Sequence, residues 1–429
     1  MKVCAAYGSE IPLREGSDMH EIRLDVFGGI PAGVGEESLI TLCGKDISAV
    51  PDSFRGLVDV GERDIATKHR KIRSFHDFSG TPDADSIVRM LSDGDQEISK
   101  GAFSVRSFAD LLSISKAAER LGRKHVLLGM GELGEVTRIR QRCLGNEFTF
   151  GYVGEPTAPG QLSADEMERL GDGCEILGIV GHPLSHSRSP AMQGAAMEKA
   201  GINGKYLRFD SPSLDRIEEA IRAYDIRGMN VTIPYKQEII PHLDSISDVA
   251  EDVGAVNTIA NRGGKLLGEN TDVRGIEFAL SGVDVKGSES LVMGSGGAAR
   301  AAVYALSRAG SSVSIAGRNK ETVSALCRDF GSEPFEGDAS KFGLVVNCTP
   351  IGLVDGEYPA DISRLRVDQV VFDMVYGRDT PFVSLARSRG CRIADGADML
   401  VGQGAESFRI WFGKEPDVSA MKGALRWPG

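Results

Sequence analysis

Four ionisable side chains sit where their neighbours demand an explanation. Lys100 lies in the apolar run EISKGAFSV (97 to 105), where burying an ammonium is costly unless it is neutral or paired. A desolvated lysine more readily presents a free amine, and a free amine attacks a ketone to form a Schiff base. A lysine at a strand end whose head reaches water explains the same pattern. His76, in SFHDFSGTP, ends another strand pattern, where a barrel carries its active site. Lys236 closes NVTIPYK (230 to 236) and Asp272 sits in GENTDVRG (268 to 275). A lysine hydrogen-bonded to a carboxylate would deliver the proton that a carbonyl needs when it accepts hydride, although spacing alone also fits two surface residues. The loop SHSRSP adds the hydroxyls of Ser187 and Ser189, suited to a carboxylate or sugar-like hydroxyls, with His186 between them as either a base or a structural loop residue. Glu21, Arg23 and Asp25 alternate in HEIRLD and would share one face of a strand. An edge strand facing water explains them equally well.

A second kind of site is written in glycines. Gly294-Ser295-Gly296-Gly297-Ala298-Ala299 gives G-x-G-x-x-A directly after an apolar strand pattern and at the start of a helical one. Glycines there let the backbone approach a pyrophosphate, whose charge meets N–H groups at the helix N-terminus. A tight strand-to-helix turn with no ligand is the plainer alternative. The next strand, VSIAGRNK, ends in Arg318 where an NAD site carries an acidic residue for the ribose hydroxyl, about 20 residues beyond the glycines. Arg318, helped by Lys320, suits a 2′-phosphate, so NADP is favoured over NAD.

These residues need a scaffold. Eight short apolar runs precede residue 155 (VCAAYG, HEIRLDVF, SLITLC, GLVDVG, KIRSFHDF, EISKGAFSV, HVLLGMG and FTFGYV), and a helical pattern spans 107 to 122. The chain is therefore α/β, beginning with a (β/α)8 TIM-type barrel over residues 1–165. That length is short for such a barrel, so several connecting helices must be trimmed. The stretch TAPGQLSADEMERLGDG (157 to 173) marks the boundary, with Ser163 capping a short helix and Glu166 placed for a capping box. Alternating strand and helix patterns over 174–285 form one lobe. A Rossmann lobe follows over 286–397, and helices in 398–429 pack back on the first lobe.

Composition bounds the partners. The 429 residues are 41% hydrophobic, enough for two or three cores, and 49 Lys and Arg against 61 Asp and Glu give a net charge of -12. That balance argues against nucleic acid. No stretch has the roughly 18 to 20 apolar residues of a membrane helix, so a cytoplasmic enzyme is expected. The seven cysteines are scattered and never spaced C-x-x-C, which suggests neither disulfides nor a metal site. A homodimer is one arrangement the sequence allows.

Each half resembles a known family. Across 174 to 429 the ordered series GHPLSHSRSP, GMNVTIPYK, GAVNTI, GENTDVRG, GSGGAAR, NCTPIG, FDMVYG and DMLVGQGAESF resembles shikimate dehydrogenase. The resemblance implies NADPH-dependent reduction of 3-dehydroshikimate, with Lys236 and Asp272 as the catalytic pair. It places Ser187, Ser189, Thr232, Asn257, Asp272 and Gln403 on the substrate and Tyr376 near the reacting ring. It places Gly294, Gly296, Gly297, Ala298, Arg318, Thr349 and Met374 on the cofactor, with Asn319 and Lys320 following Arg318 where the family often has Asn-Arg-Thr and a further basic residue. Over residues 1 to 165, EIRLD, SFHDFSGTP, SKGAFSV, GELGEVTR and TAPGQ resemble type I 3-dehydroquinate dehydratase. This implies that Lys100 forms an imine with the substrate ketone and His76 moves the protons that eliminate water. Arg138 and Gln161 match substrate positions, supported by Glu21 and Arg23. The family's Arg and acidic loop after the third strand are replaced by Cys43-Gly44-Lys45-Asp46, where Lys45 is the available charge. Two other readings stay open: a scaffolding or sensing N-terminal half, and a dehydrogenase acting on quinate with NAD.

Overall fold

The computed structural model describes residues 1–31 and 34–425, and the chain divides into two compact units. The first comprises Met1–Ser185 and Asn203–Arg227; the second comprises His186–Ile202 and the chain from Gly228 onward.

In the first unit, all eight expected strands form: β1 (Val3–Tyr7), β2 (Met19–Arg23), β3 (Leu39–Thr41), β4 (Leu57–Asp59), β5 (Arg70–Asp77), β6 (Ile98–Ser104), β7 (His125–Met130) and β8 (Thr149–Val153). They are parallel, in the order β7-β6-β5-β4-β3-β2-β1-β8. Alternate residues, such as Cys4 and Ala6, Val126, Leu128 and Met130, and Phe148 and Phe150, pack into one buried cluster, as the two-residue period of a strand requires. The helical layer is thin. Among the described residues, the helical structure between β2 and β3 is the single turn α1 (Leu24–Phe27), and between β3 and β4 it is the 3-10 turn Ile47–Ala49. Longer helices begin with α2 (Ala84–Ser92) and α3 (Phe108–Arg120), then come α4 (Glu135–Ile139) and α5 (Ala164–Leu170). This is how the barrel fits its short chain.

Local chemistry sets these ends. Ser107 and Asp110 close a reciprocal capping box at the start of α3. Ser163 caps α5 by accepting from the Glu166 amide, while the Glu166 carboxylate pairs with Lys205 instead of turning back to complete a box. Asp25 corrects an expectation. β2 ends at Arg23, Asp25 lies in α1, and it faces Arg23 through a bidentate ion pair rather than along a strand.

β7 and β8 stand at opposite ends of the strand order, and a side chain closes the gap between them. Asn146 accepts from the Leu127 amide and donates to the Leu127 carbonyl, both at 2.8 Å, and the Glu147 amide reaches the His125 carbonyl at 3.0 Å. The carboxamide reproduces one rung of a ladder. Beyond α5, β9 (Glu175–Gly181) and β10 (Gly204–Asp210) pair in parallel. The helix between them in sequence, α6 (Ser189–Lys199), belongs to the second unit, and α7 (Ile217–Ala223) follows β10.

In the second unit, β11 (Gly228–Val231) and β14 (Lys265–Glu269) flank β13 (Thr258–Arg262) antiparallel, and β12 (Ser245–Ile246) lies parallel to β14. α8 (Asp248–Val253) and α9 (Asp272–Ala279) complete this region. A second, wholly parallel sheet follows: β15 (Glu289–Met293), β16 (Ser312–Ala316), β17 (Glu333–Pro334), β18 (Leu344–Asn347), β19 (Val370–Asp373) and β20 (Arg392–Asp395), in the order β17-β16-β15-β18-β19-β20. Its order reverses at β15, the switch point where ligands bind in open α/β sheets. The helices α10 (Gly297–Arg308), α11 (Lys320–Phe330) and α12 (Pro381–Ser388) connect its strands.

The expected C-terminal helices are α13 (Gly396–Phe412) and α14 (Val418–Ala424), and the last four residues of the expected 398–429 span lie outside the described residues. α13 crosses α9 closely, because a Cβ on Gly402 would sit 3.0 Å from the Gly275 Cα. That contact sets Gln403 beside the start of α9.

Candidate active sites

In the barrel, the three neighbouring strands β4, β5 and β6 contribute one connected set of polar side chains, Asp59, Ser74 and Lys100. Lys100, on β6, is buried, and its Nζ lies 3.5 Å from Asp59 Oδ2 on β4 and 4.3 Å from the centre of the Phe150 ring. Asp59 is 1% exposed. Its Oδ1 accepts from Ser74 Oγ at 2.6 Å and from the Gly61 amide at 2.9 Å. Sequence inspection passed over Asp59, because GLVDVG reads as an apolar strand with an acidic end.

His76 lies near the open end of β5, its ring stacked with Phe78. The residue retains solvent access, yet the surrounding atoms, and after them the positive charge of Lys100, hold its imidazole down at about 4. It is therefore neutral near pH 7, able to accept a proton. Glu21 is buried and accepts from Thr41 Oγ1 at 2.8 Å, while Arg23 is committed to Asp25. In the departing loop, burial and a bond to Asp25 push the Cys43 thiol up to about 11.

Arg138, on α4, is 2% exposed, and its Nε has no hydrogen-bond partner among the described residues. Burial lowers its pKa to about 10, and it raises the carboxyl of neighbouring Glu135 to about 7. A buried guanidinium with unused donors suits an anion. Gln161, in the loop after β8, is held by Thr157, whose amide and hydroxyl donate to its Oε1 at 2.9 and 2.8 Å.

The second unit builds a different pair. Lys236 Nζ lies 2.5 Å from Asp272 Oδ2, at the N-terminus of α9. The other oxygen of Asp272 accepts from Asn257 Nδ2 at 2.8 Å, and the same nitrogen lies 3.4 Å from Gln403 Oε1. Asn257 Oδ1 accepts from the Thr271 amide at 2.7 Å. Beneath them, Asn230 Nδ2 donates to Thr258 Oγ1 and Ser407 Oγ at 3.0 and 2.9 Å. Asn230 and Ser407 were not legible as site residues; only the fold places them under Asn257. Ser187 Oγ accepts from the Ser189 amide at 3.4 Å at the start of α6, and Ser189 is buried. Thr232 follows β11 directly, half-buried. Burial raises the Tyr376 phenol against a backbone hydrogen bond from Arg188.

The glycine turn lies next to this pair. Gly294 has φ +127°, and a Cβ there would sit 3.2 Å from the Cys348 carbonyl. Gly297 opens α10 against the lysine stem, since a Cβ would meet Lys236 Cβ at 3.0 Å and Cδ at 3.1 Å. Gly296 is the N-cap residue just before it, and Ala298 is the second residue of α10. At the end of β16, Arg318 is exposed, whereas Asn319 caps α11 and Lys320 pairs with Glu336 at 2.8 Å. Ser295 Oγ lies 2.9 Å from Thr322 Oγ1, two hydroxyls absent from the sequence expectation. Thr349 Oγ1 donates to Asn347 Oδ1 at 2.6 Å, and the Met374 amide reaches the Asn347 carbonyl at 3.0 Å. Among the described residues, no group of His, Cys, Asp and Glu is arranged to hold a metal, and no helix is long and apolar enough to cross a membrane.

Comparison with known proteins separates the barrel from the rest of the chain. Residues 58–172 match the type I 3-dehydroquinase family. Residues 179–259 match the shikimate dehydrogenase substrate binding domain, and residues 396–426 match the shikimate 5′-dehydrogenase C-terminal domain. A shikimate dehydrogenase (NADP(+)) of Archaeoglobus fulgidus is 40% identical over 263 residues, covering 58% of this chain and 96% of that protein. The crystal structure of shikimate 5-dehydrogenase from Thermus thermophilus with NADP(H) and shikimate is 37% identical, with a TM-score of 0.55, over 59% of this chain and 98% of that one. Quinate dehydrogenase from Corynebacterium glutamicum in complex with NAD is 33% identical, with a TM-score of 0.53, over 59% and 98%.

Proposed function

This chain belongs to the shikimate dehydrogenase family, with a type I 3-dehydroquinase domain ahead of that region, and we propose that it catalyses two consecutive steps. The first removes water from 3-dehydroquinate to give 3-dehydroshikimate; the second reduces that ketone to shikimate with NADPH. The observation that carries this reading is the presence of two lysine–aspartate pairs: Lys100 with Asp59, both inside the type I 3-dehydroquinase match, and Lys236, inside the shikimate dehydrogenase substrate binding match, with Asp272.

In the barrel, Lys100 attacks the ketone and forms an imine, His76 accepts the proton whose loss starts the elimination, and water departs. The substrate carboxylate is assigned to Arg138, whose free donors and burial favour an anion. Gln161 holds a hydroxyl, while Glu21 and Arg23 support the wall. In the dehydrogenase, Ser187, Ser189, Thr232, Asn257 and Gln403 orient the ring, with Tyr376 beside it. Lys236, held by Asp272, donates the proton to the carbonyl oxygen.

The residues present fit the nucleotide. Gly294, Gly296, Gly297 and Ala298 leave the turn open, and Arg318 ends its strand where an acidic residue would repel a phosphate. Thr349 and Met374 are assigned to its nicotinamide side. When bound, NADPH supplies the hydride. The functional boundaries remain 1–165, 174–285 with the C-terminal helices, and 286–397, and the place of action is the cytoplasm.

One observation favours a second reading. Asn319 and Lys320 are engaged within the protein, leaving Arg318 the main charge for a 2′-phosphate, so NAD with quinate is the competing pair. The test supplies 3-dehydroquinate and NADPH to the purified chain and follows nicotinamide absorbance, with 3-dehydroshikimate and NADPH as the control and with NADH and quinate plus NAD in parallel. Oxidation of NADPH from 3-dehydroquinate supports both activities. Turnover of 3-dehydroshikimate alone makes the barrel a scaffold, and faster turnover with NAD and quinate overturns the cofactor assignment.

A further inference from the structure

The carboxylate facing Lys100 has no role in the mechanism above, and its geometry asks for one. Strands β4, β5 and β6 are neighbours, and Ser74 pairs in register with Lys100. Asp59 pairs in register with Ile72, and Ser74, two residues further along β5, reaches it through its hydroxyl. Ser74 and the Gly61 amide occupy one oxygen of Asp59, fixing the plane of the carboxylate. The other oxygen accepts no hydrogen bond among the described residues, is buried, and lies 3.5 Å from the lysine nitrogen. A carboxylate needed only to hold the fold would bond through both oxygens, because leaving a buried acceptor unsatisfied is costly.

We propose that Asp59 is the acid–base partner of Lys100, storing the proton that the lysine must lose and returning it to the departing oxygen. This rests on the Schiff-base reading of the barrel. Asp59 Oδ2 takes one proton from the ammonium, leaving a neutral amine and a neutral acid. The amine lone pair forms the N–C bond, the C=O π pair moves to oxygen, and a nitrogen proton passes to that oxygen to give a carbinolamine. Asp59 then protonates the hydroxyl, the C–O bond breaks, water leaves, and a protonated imine remains with Asp59 again a carboxylate. Two of the three ammonium protons leave in the water, so the step is neutral in atoms and charge. His76, near the strand end, is left free for the substrate's carbon-bound proton.

The test uses the full chain with 3-dehydroquinate, 3-dehydroshikimate and borohydride, which reduces the imine to a stable adduct seen by mass spectrometry. In Asp59→Asn the dehydratase kcat should fall about 100-fold or more, the usual contribution of a positioned acid or base, with KM changed less than about threefold. The adduct should still form on Lys100, more slowly in proportion. Asp59→Glu should restore about tenfold, and NADPH-linked reduction of 3-dehydroshikimate should stay within about twofold of wild type in every variant. Ser74→Ala removes only the brace and should cost a few-fold in kcat. A dehydratase kcat within threefold of wild type in Asp59→Asn overturns the proposal. So does misfolding of Asp59→Asn, read by circular dichroism, together with full activity in Ser74→Ala. Absence of any adduct in wild type is a separate outcome that removes the Schiff-base reading.

Discussion

The two lysine–aspartate pairs are built to opposite specifications. In the second unit, Lys236 and Asp272 touch at 2.5 Å, and the outer oxygen of Asp272 is held by Asn257. In the first, Lys100 and Asp59 stand 3.5 Å apart, with the facing oxygen otherwise unbonded. A charge-assisted hydrogen bond stabilises the ammonium, which suits a lysine that must arrive protonated to donate to an alkoxide. A nucleophilic lysine must shed that proton, so a looser contact serves it better. On the reading proposed here, the same two residue types are tuned by distance for donation in one site and attack in the other.

That contrast can be broken most severely at the lysines themselves. Lys100→Ala should abolish formation of 3-dehydroshikimate and leave its reduction within about twofold, while Lys236→Ala should lower reduction by about 10²- to 10⁴-fold and spare dehydration. Separate assays of the two half-reactions check this, and loss of both from one change would mean that the sites are not independent. Next in size is Arg318→Gln. Removing one charge-assisted bond of about 1.5–3 kcal/mol should weaken NADPH binding about 10- to 100-fold, read by nicotinamide fluorescence titration, with little change for NADH. Equal weakening of both nucleotides would return Arg318 to a structural role.

A smaller effect sharpens the link between the glycine turn and the donor. In Gly297→Ala the new methyl meets the Lys236 stem at 3.0 Å, so reduction should drop several-fold while dehydration is untouched. Unchanged reduction would show that the stem yields freely. The mildest prediction concerns acidity. His76 is held down at about 4, so the neutral form it needs as a base persists above that value. The acidic limb of dehydratase kcat should bend near pH 4 rather than near the ordinary histidine value of about 6.5. Between pH 7 and pH 5 the rate should change less than about twofold, and a bend near 6.5 would mean that the ring is not desolvated during turnover.

Much of this was legible in the sequence, for reasons that are local. Each barrel strand announced itself by an apolar run, and Ser163 marked a helix start because capping depends on neighbours in the chain. The glycine turn and the arginine after β16 could be read for the same reason. What stayed hidden depends on register. Asp59 gains meaning only when β5 sets Ser74 between it and β6, and Asn230 and Ser407 only when α13 folds beside β13. Asp25 was misplaced because alternation continued past Arg23, although the backbone had already turned into α1. Lys320 and Asn319 looked free as letters, yet Glu336 and the α11 amides use them.

The Asn146 bridge gives the barrel a direction in which to come apart. A ring of strands joined only by ladders has no preferred place to open, but here, among the described residues, β7 is tied to the segment entering β8 through the Asn146 carboxamide and the Glu147 amide. Unrolling would begin at that line, parting β8 from β7 while the ladder from β7 through β1 to β8 stays zipped. Solvent hydrogen would enter first at the Leu127 amide, so its exchange rate reports how often the cylinder becomes a sheet.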